Sequence, residues 1–364
     1  MLELLEFLSF FVWSVFTILV LMGIIAQIYR PKKSTIKAKN VVFVVVSIAK
    51  ETVRNALFET LNHVVTNFPN YRVWVVVDEG AELIPELKLR GYDLIIVPKE
   101  YRRDLIGKGR AINYFIESVV EDDKWYAFID DDNLILDDSF LYEIPYYEKL
   151  GYVAMNPILV PRRGKSTVTY IMDFIRYFED VSVFRFFMGL LKKPLVGFHG
   201  ELLTVKGSIL QEIKYDKPSI TEDFRFACEV VRKGYKVWQS TTMVSIKSPN
   251  SILDLLKQRG RWFKGVVCDV RNAPTIMKII VLLRLAVWIV GVFGSWALVP
   301  LWIFYKPFFY ALPGGIAYWL IYLYGVSKAH SPSIVAIIPV FGIIESMSWL
   351  FGLRQKSFVV IDKN

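Results

Sequence analysis

The sequence predicts an α/β domain with a mostly parallel, Rossmann-like sheet, accompanied by transmembrane helices and by amphipathic helices at the membrane interface. Two observations carry this prediction. Long uncharged runs gather near the two ends of the 364-residue chain, 54% of which is hydrophobic. Between them, short β-branched runs alternate with helix-like stretches in the manner of βαβ units. The expected organisation is a transmembrane helix at 1–29, a cytosolic α/β domain at 30–274 and about three transmembrane helices at 275–364.

Residues 7–28 carry no charge, and at about 1.5 Å rise per residue they cover roughly 33 Å, enough to cross a bilayer core. Glu3 and Glu6 stand where a signal peptide would be basic, and no small-residue cleavage site follows. Arg30, Lys32, Lys33, Lys37 and Lys39 come next with no acidic residue among them, which places the chain from Arg30 onward on the cytosolic side of a multi-pass protein. That side is the cell membrane's inner face in a prokaryote, or the ER or Golgi surface in a eukaryote. The basic cluster and the net charge of +9 suit anionic lipid headgroups or an anionic substrate, and no nucleic-acid partner is implied.

Residues 285–305, 307–327 and 331–353 add three further apolar runs, the last interrupted by Glu345. A carboxylate at bilayer depth is costly unless paired. Either Glu345 pairs with Arg284 in a true fourth span, or the run is re-entrant and leaves Arg354 and Lys356 in the cytosol; the length favours four spans. Cys228 and Cys268 are too few for a disulfide framework, and His63, His199 and His330 are too scattered for a histidine metal cluster.

Within the domain, 41–47 is a continuous β-branched run of the kind found in strands buried on both faces. A helical stretch at 51–67 follows, then strands at 71–78 and 93–97, a helix at 107–120 and a strand at 125–129. Ligands of such sheets lie at the carboxyl ends of the strands. Glu51, Asp78 and the triplet Asp130, Asp131 and Asp132 fall at or near those ends. Segments 168–191 and 251–270 mix apolar and charged residues as expected of helices lying on a membrane surface, and packing on the sheet is the competing reading.

Three motifs carry chemistry. The adjacent carboxylates of Asp130, Asp131 and Asp132 repel one another unless a cation lies between them, and oxygen ligands suit Mg2+ or Mn2+ shared with substrate phosphates. Thr221-Glu222-Asp223 precedes a helix at 224–233, where Thr221 can cap and the acids complement the dipole. Gln258-Arg259-Gly260-Arg261-Trp262 brings two guanidiniums and an indole into about one helical turn, suited to gripping phosphates and stacking on a sugar.

The order and spacing of these motifs resemble the family 2 glycosyltransferases of the cellulose synthase and hyaluronan synthase type. About 90 residues separate the aspartates from Thr221-Glu222-Asp223, and about 35 more lead to Gln258 and Trp262. The resemblance implies a GT-A fold and inverting transfer of a hexose from a nucleotide-diphosphate sugar. It makes Asp130 and Asp132 the metal ligands, Asp223 the catalytic base with Glu222 beside it at the acceptor, and Lys108 a diphosphate contact. Asp131 and Arg261 join the donor site, and Gln258 and Trp262 the acceptor site. His199, Gly200 and Glu201 resemble the family's Phe-x-Gly-Ser element near the acceptor. Ala49-Lys50-Glu51 and Asp78-Glu79-Gly80-Ala81 depart from the family's forms where base and ribose bind, so Glu51 and Asp78 leave the nucleotide open.

His199-Gly200-Glu201 is also reminiscent of the egghead-type β-1,4-mannosyltransferases, which favours GDP-mannose over a UDP-sugar. Four spans are few for a polymer-exporting synthase, so addition of a sugar to a glycan or lipid-linked glycan acceptor at the cytosolic leaflet is the expected reaction. A processive polysaccharide synthase and a polyprenyl-phosphate sugar synthase are the alternatives of the same fold. A nucleotide-sugar-binding scaffold is the non-enzymatic one, and the presence of both the aspartates and Asp223 argues against it.

Overall fold

Eight strands form one mixed sheet in the order β3-β2-β1-β4-β7-β6-β8-β5. The strands are β1 (Val41–Val46), β2 (Arg72–Asp78), β3 (Asp93–Val97), β4 (Trp125–Asp130), β5 (Asn133–Ile135), β6 (Tyr152–Arg162), β7 (Leu203–Lys206) and β8 (Lys236–Lys247). The computed structural model describes residues 2–304 and 312–354. Strands β3, β2, β1 and β4 run parallel as the sequence predicts. Beyond β4 the sheet turns mixed: β7 is antiparallel to both β4 and β6, and β5 is antiparallel to β8. No β-branched run of the first kind marks those later strands, so their direction was not legible.

Alternation within β1 explains its central place. Val42, Val44 and Val46 enter one buried cluster with Tyr126 and Phe128, while Val41, Phe43 and Val45 enter the opposite one with Trp125, Ala127 and Ile129. A strand with apolar side chains on both faces is stable only with layers on both sides. Helices α2 (Arg54–Asn67), α3 (Ile84–Leu89), α4 (Gly107–Val119), α5 (Ser139–Lys149), α8 (Gly207–Ile213) and α9 (Glu222–Arg232) supply them.

The segment expected to lie on a membrane surface is three consecutive helical pieces: α6 (Thr167–Met172), α7 (Phe174–Glu179) and a π-helix, Asp180–Leu190. It is wedged between the sheet and the terminal helices: α7 and the π-helix contact β6, the π-helix contacts α1 (Leu2–Ala26), and α6 and α7 contact α12 (Leu312–Ala329). Helix α10 (Ile252–Asp269) begins at Ser251, whose side chain accepts the Asp254 amide, and runs along α13 (Ile338–Arg354). Helix α11 (Thr275–Phe304) packs on α1 and α13.

Among the described residues, one helical stretch, Pro332–Arg354, is long and apolar enough to cross a membrane, and Phe10–Ala26 is a shorter apolar one. The expected spans at 285–305 and 307–327 fall largely in α11 and α12; Tyr305, residues 307–311 and Lys356 lie outside the described residues. Glu345 does not pair with Arg284. Its partner is Arg259 at 3.3 Å, and Arg284 pairs with Glu179, because α10 rather than α11 presents a guanidinium at that level of α13.

Candidate active site

Strand register gathers the first group of polar side chains. Val46 lies opposite both Val76 and Asp130, so the ends of β1, β2 and β4 bring Ser47, Asp78 and Asp130 into one row. Lys108, in the first turn of α4, donates to Asp130 Oδ1 at 2.5 Å and to the Gly200 carbonyl at 3.2 Å. Burial works against its charge, but Asp130 and Glu222 outweigh it and raise the Lys108 pKa, so the ammonium persists. Ser47 Oγ donates to Asp131 Oδ2 at 2.6 Å. Arg110 reaches Asp78 at 2.6 Å, a contact the sequence did not announce.

Opposite this row stand Glu222 and Asp223 in the first turn of α9. Thr221 occupies the N-cap position as expected, yet its hydroxyl makes no cap; it donates to Asp269 Oδ2 at 3.3 Å. Asp223 Oδ1 accepts the Phe224 amide at 2.8 Å. Burial raises Asp223 to about 6, with a further push from the charge on Glu201. It also raises Glu222 to about 7, with Asp223 adding repulsion. Two neighbouring carboxylates with elevated pKa values in a cleft are the arrangement that suits proton transfer near neutrality.

The loop before β7 is pinned from behind. The His199 amide donates to Asn156 Oδ1 at 2.8 Å, and Asn156 returns the bond to the His199 carbonyl at 3.0 Å. The His199 ring stacks on Phe184 and meets buried Asp180 at 2.5 Å. Burial lowers the imidazole's pKa, but the carboxylate overcomes it and the net direction is up. Glu201 pairs with Arg176 at 2.7 Å. Burial would raise its pKa, yet Arg176 wins and holds it down at about 2. A Cβ at Gly200 would stand 3.1 Å from Lys108 Nζ and 3.7 Å from Asp223 Oδ2, so the absence of a side chain there lets the amine and the carboxylate approach one another.

One cavity of about 710 Å3 joins these parts. Its wall includes Asp78, Lys108, Asp130, Asp131, His199, Gly200, Glu201, Glu222, Asp223, Gln258, Arg261 and Trp262. Two expected residues are placed elsewhere. Asp132 is 2% exposed and turns into the domain at the β4–β5 corner, where Arg162 holds its carbonyl at 3.1 Å; Asp130 and Asp131 are the triplet carboxylates on the cavity. Glu51 is exposed on the 3₁₀ turn before α2, outside the lining, with its amide bonded to Glu82.

The indole of Trp262 also differs from the sequence reading. Rather than presenting a bare ring to a sugar, it carries the guanidiniums of Arg176 at 4.8 Å and Arg259 at 4.6 Å. Arg259 in turn bonds Asp173 at 2.6 Å. Arg176, Asp173, Asp180 and Glu179 were all read from sequence as the wet face of a surface helix. In the structure this segment is packed between the sheet and the terminal helices, so its charges pair with residues of other elements.

Residues 125–344, more than half of the chain, match glycosyl transferase family group 2. The chain belongs to this family. It is therefore a glycosyltransferase, and its sheet with flanking helices is the GT-A fold. Among similar proteins is the β-1,4-mannosyltransferase egh of Drosophila melanogaster, 27% identical over 338 residues, covering 82% of this chain and 72% of the relative. The β-1,4-mannosyltransferase bre-3 of Caenorhabditis elegans is 24% identical over 335 residues, covering 81% and 71%. The fold is shared with a solved structure, the mannosyltransferase PcManGT from Pyrobaculum calidifontis in complex with GDP-Man and Mn2+. That match has a TM-score of 0.56 at 14% identity and covers 95% of this chain and 99% of that one.

Proposed function

We propose that this glycosyltransferase moves mannose from GDP-mannose, with inversion at the anomeric carbon, to a glycan or lipid-linked glycan acceptor at the cytosolic face of a membrane. The observation that carries the reading is that one cavity holds Lys108, Asp130 and Asp131 on the strand-end side and Asp223 on the other. The mannosyltransferase relatives favour mannose as the transferred sugar.

Asp223 takes the proton of the acceptor hydroxyl as the new bond to the anomeric carbon forms and the bond to the diphosphate oxygen breaks. Its elevated pKa leaves it ionised at neutral pH yet basic enough to hold that proton in the transition state. Lys108 meets the charge that develops on the departing diphosphate, with Arg261 on the same cavity wall. Glu201, held ionised by Arg176, faces the acceptor and accepts hydrogen bonds from its hydroxyls.

A divalent cation fits the strand-end side. Among the described residues no group of three or more His, Cys, Asp or Glu side chains forms a metal-binding set. Asp130 and Asp131 are nevertheless two hard oxygen donors on the cavity, and Mg2+ or Mn2+ characteristically takes one or two carboxylates and completes its shell with phosphate oxygens and water. Bound there, the ion would neutralise diphosphate charge.

The deciding measurement is a panel of GDP- and UDP-sugars offered to the purified protein, with turnover and thermal protection recorded for each. GDP-mannose should give the largest turnover and shift, and chelator should weaken its binding at least tenfold. Preference for a UDP-sugar would overturn the donor assignment, and binding indifferent to chelator would remove the metal.

A further inference from the structure

The basic residues that follow α1 are sorted by their surroundings in the fold. Lys37 pairs with Asp138 at 2.6 Å, Lys33 donates to the Ser139 hydroxyl at 2.8 Å, and Lys32 lies over the Tyr146 ring at 5.9 Å. These contacts tie the chain to the start and face of α5 and account for the three lysines. Arg30 turns the other way. Its Nη1 donates to the carbonyls of Gln27 and Tyr29, and the guanidinium of Arg185 reaches the same glutamine from the π-helix, with Nη1 on Gln27 Oε1 at 3.1 Å. Gln27 is fixed in turn: its amide donates to the Gly23 carbonyl at 3.0 Å and to the Val181 carbonyl at 2.7 Å, which fastens α1 to the π-helix.

Two guanidiniums thus converge on one neutral side chain. Among the described residues neither is paired with a carboxylate, and the nearby acids Asp180 and Glu179 are committed to His199 and Arg284. Arg185 is half-buried, and burial first and the charge of Arg30 second lower its pKa. Closing the orphan carbonyls at the end of α1 explains Arg30. It does not explain Arg185, since a half-buried cation beside a like charge is costly without an anion. An apolar stripe leads to the pair. Leu21, Ile24, Ile25 and Ile28 are exposed, and their i, i+3, i+4, i+7 spacing sets them along one side of α1 and the turn that follows it. A phosphate that carries long apolar chains answers both features: its oxygens match two guanidinium forks, and its chains cover the stripe.

We infer that Arg30 and Arg185 form a binding site for the phosphodiester headgroup of an anionic phospholipid, whose acyl chains lie on the stripe from Leu21 to Ile28. The inference rests on the reading that this part of the protein meets a membrane. It is independent of which sugar is transferred and to what.

The test uses the purified full chain in a neutral detergent, with retained lipids counted by native mass spectrometry. The probes are phosphatidylglycerol and phosphatidylcholine with identical acyl chains, and glycerol phosphate as a soluble phosphate. Wild-type protein should retain phosphatidylglycerol at least about fivefold more strongly than phosphatidylcholine, the scale expected for a basic side chain against an anionic headgroup, and should not retain glycerol phosphate. Arg30→Gln combined with Arg185→Gln should reduce that preference to less than about twofold, and Arg30→Gln alone, at an exposed position, should reduce it clearly. Lys37→Gln removes an equal charge that Asp138 already matches, so it should leave the preference intact. Melting temperatures read in parallel separate lost recognition from lost fold. Equal retention of the two lipids by the wild type, a folded Arg30→Gln variant with full preference, an equal loss in Lys37→Gln, or retention of glycerol phosphate as strong as that of phosphatidylglycerol would overturn the inference. Failure of the membrane reading shows up separately, as a chain that stays monodisperse without detergent and retains neither lipid.

Discussion

The two sides of the cavity are built on different terms. On the strand-end side, Asp78 is 56% exposed and its ion pair with Arg110 lies at the rim. On the helical side, the side chains of Arg259 and Asp173 are 3% and 1% exposed, and contacts of Arg176 with Trp262 and of Arg259 with Glu345 link α7, α10 and α13. Exposed carboxylates keep their hydration and can exchange it for an ion and a diphosphate at little cost, whereas buried charges must be matched within the protein. The first side is thus completed by its substrate, and the second is already assembled when the substrate arrives.

Four experiments would break or sharpen this contrast. Asp223→Asn should have the largest effect, lowering kcat by about 10²–10⁴-fold with donor affinity nearly unchanged, as expected for loss of a general base. Because burial holds the native carboxyl above its unfolded pKa, ionising it costs stability; that cost is absent below the unfolded value and complete above about 6. The variant should therefore melt higher than wild type at pH 8 and close to it at pH 4. Retention of more than about a tenth of the turnover would exclude Asp223 as the base.

Next in size, Arg259→Ala leaves Asp173 and Glu345 buried without their cation. Breaking such a pair costs about 3–5 kcal/mol, so chemical denaturation should show a large loss of stability, while Asp78→Ala, which removes the exposed carboxylate of the strand-end side, should cost less than about 1 kcal/mol. Similar losses at the two positions would erase the distinction between the sides.

A smaller effect is expected on the pH profile. Transfer needs ionised Asp223, so kcat should fall as pH drops through about 6, the value to which burial raises it. Glu201→Gln removes a negative charge and leaves the positive charge of Arg176 beside the site. Both changes favour ionised Asp223, so the acid limb should move to lower pH by up to about one unit. A limb that stays in place or moves upward would show that the two carboxylates do not communicate.

The smallest effect should come from Glu51→Ala, because the side chain is exposed and outside the cavity lining. Donor affinity measured by calorimetry should change by less than about twofold, in keeping with an ordinary surface substitution. A tenfold loss would draw the turn before α2 into the nucleotide site.

The strand-end side was the legible one. Runs such as Val41–Val46 declare a buried strand through composition alone, and motifs such as Thr221-Glu222-Asp223 are contiguous, so no folding information is needed to see them. The helical side was not legible, because its meaning lies in pairs far apart in the chain. Arg259 and Asp173 are 86 positions apart, and Arg284 and Glu179 are 105 apart. Nothing in either segment names its partner, and a charged residue in an apolar helix reads the same at a membrane surface as in a buried contact. The surroundings of Asp132 were hidden for a more local reason, since Asp130 and Asp132 read alike as ligands in sequence and only the corner into β5 shows that Asp132 is buried there.

The crossing of α10 and α13 bears on any attempt to re-engineer this enzyme. A Cβ on Gly260 would come within 2.7 Å of the Gly352 amide nitrogen, and one on Gly352 within 2.4 Å of the Gly260 carbonyl oxygen. The two backbones touch, with no side chain between them to absorb a shift. Trp262 is two residues along from that contact, so a designer who wishes to move the indole to admit a different glycan cannot tilt α10 alone. The two helices form one unit of design: a library that varies 258–262 needs compensating diversity at Ser348, Phe351 and Gly352, and grafting the motif onto another scaffold requires bringing the last helix with it.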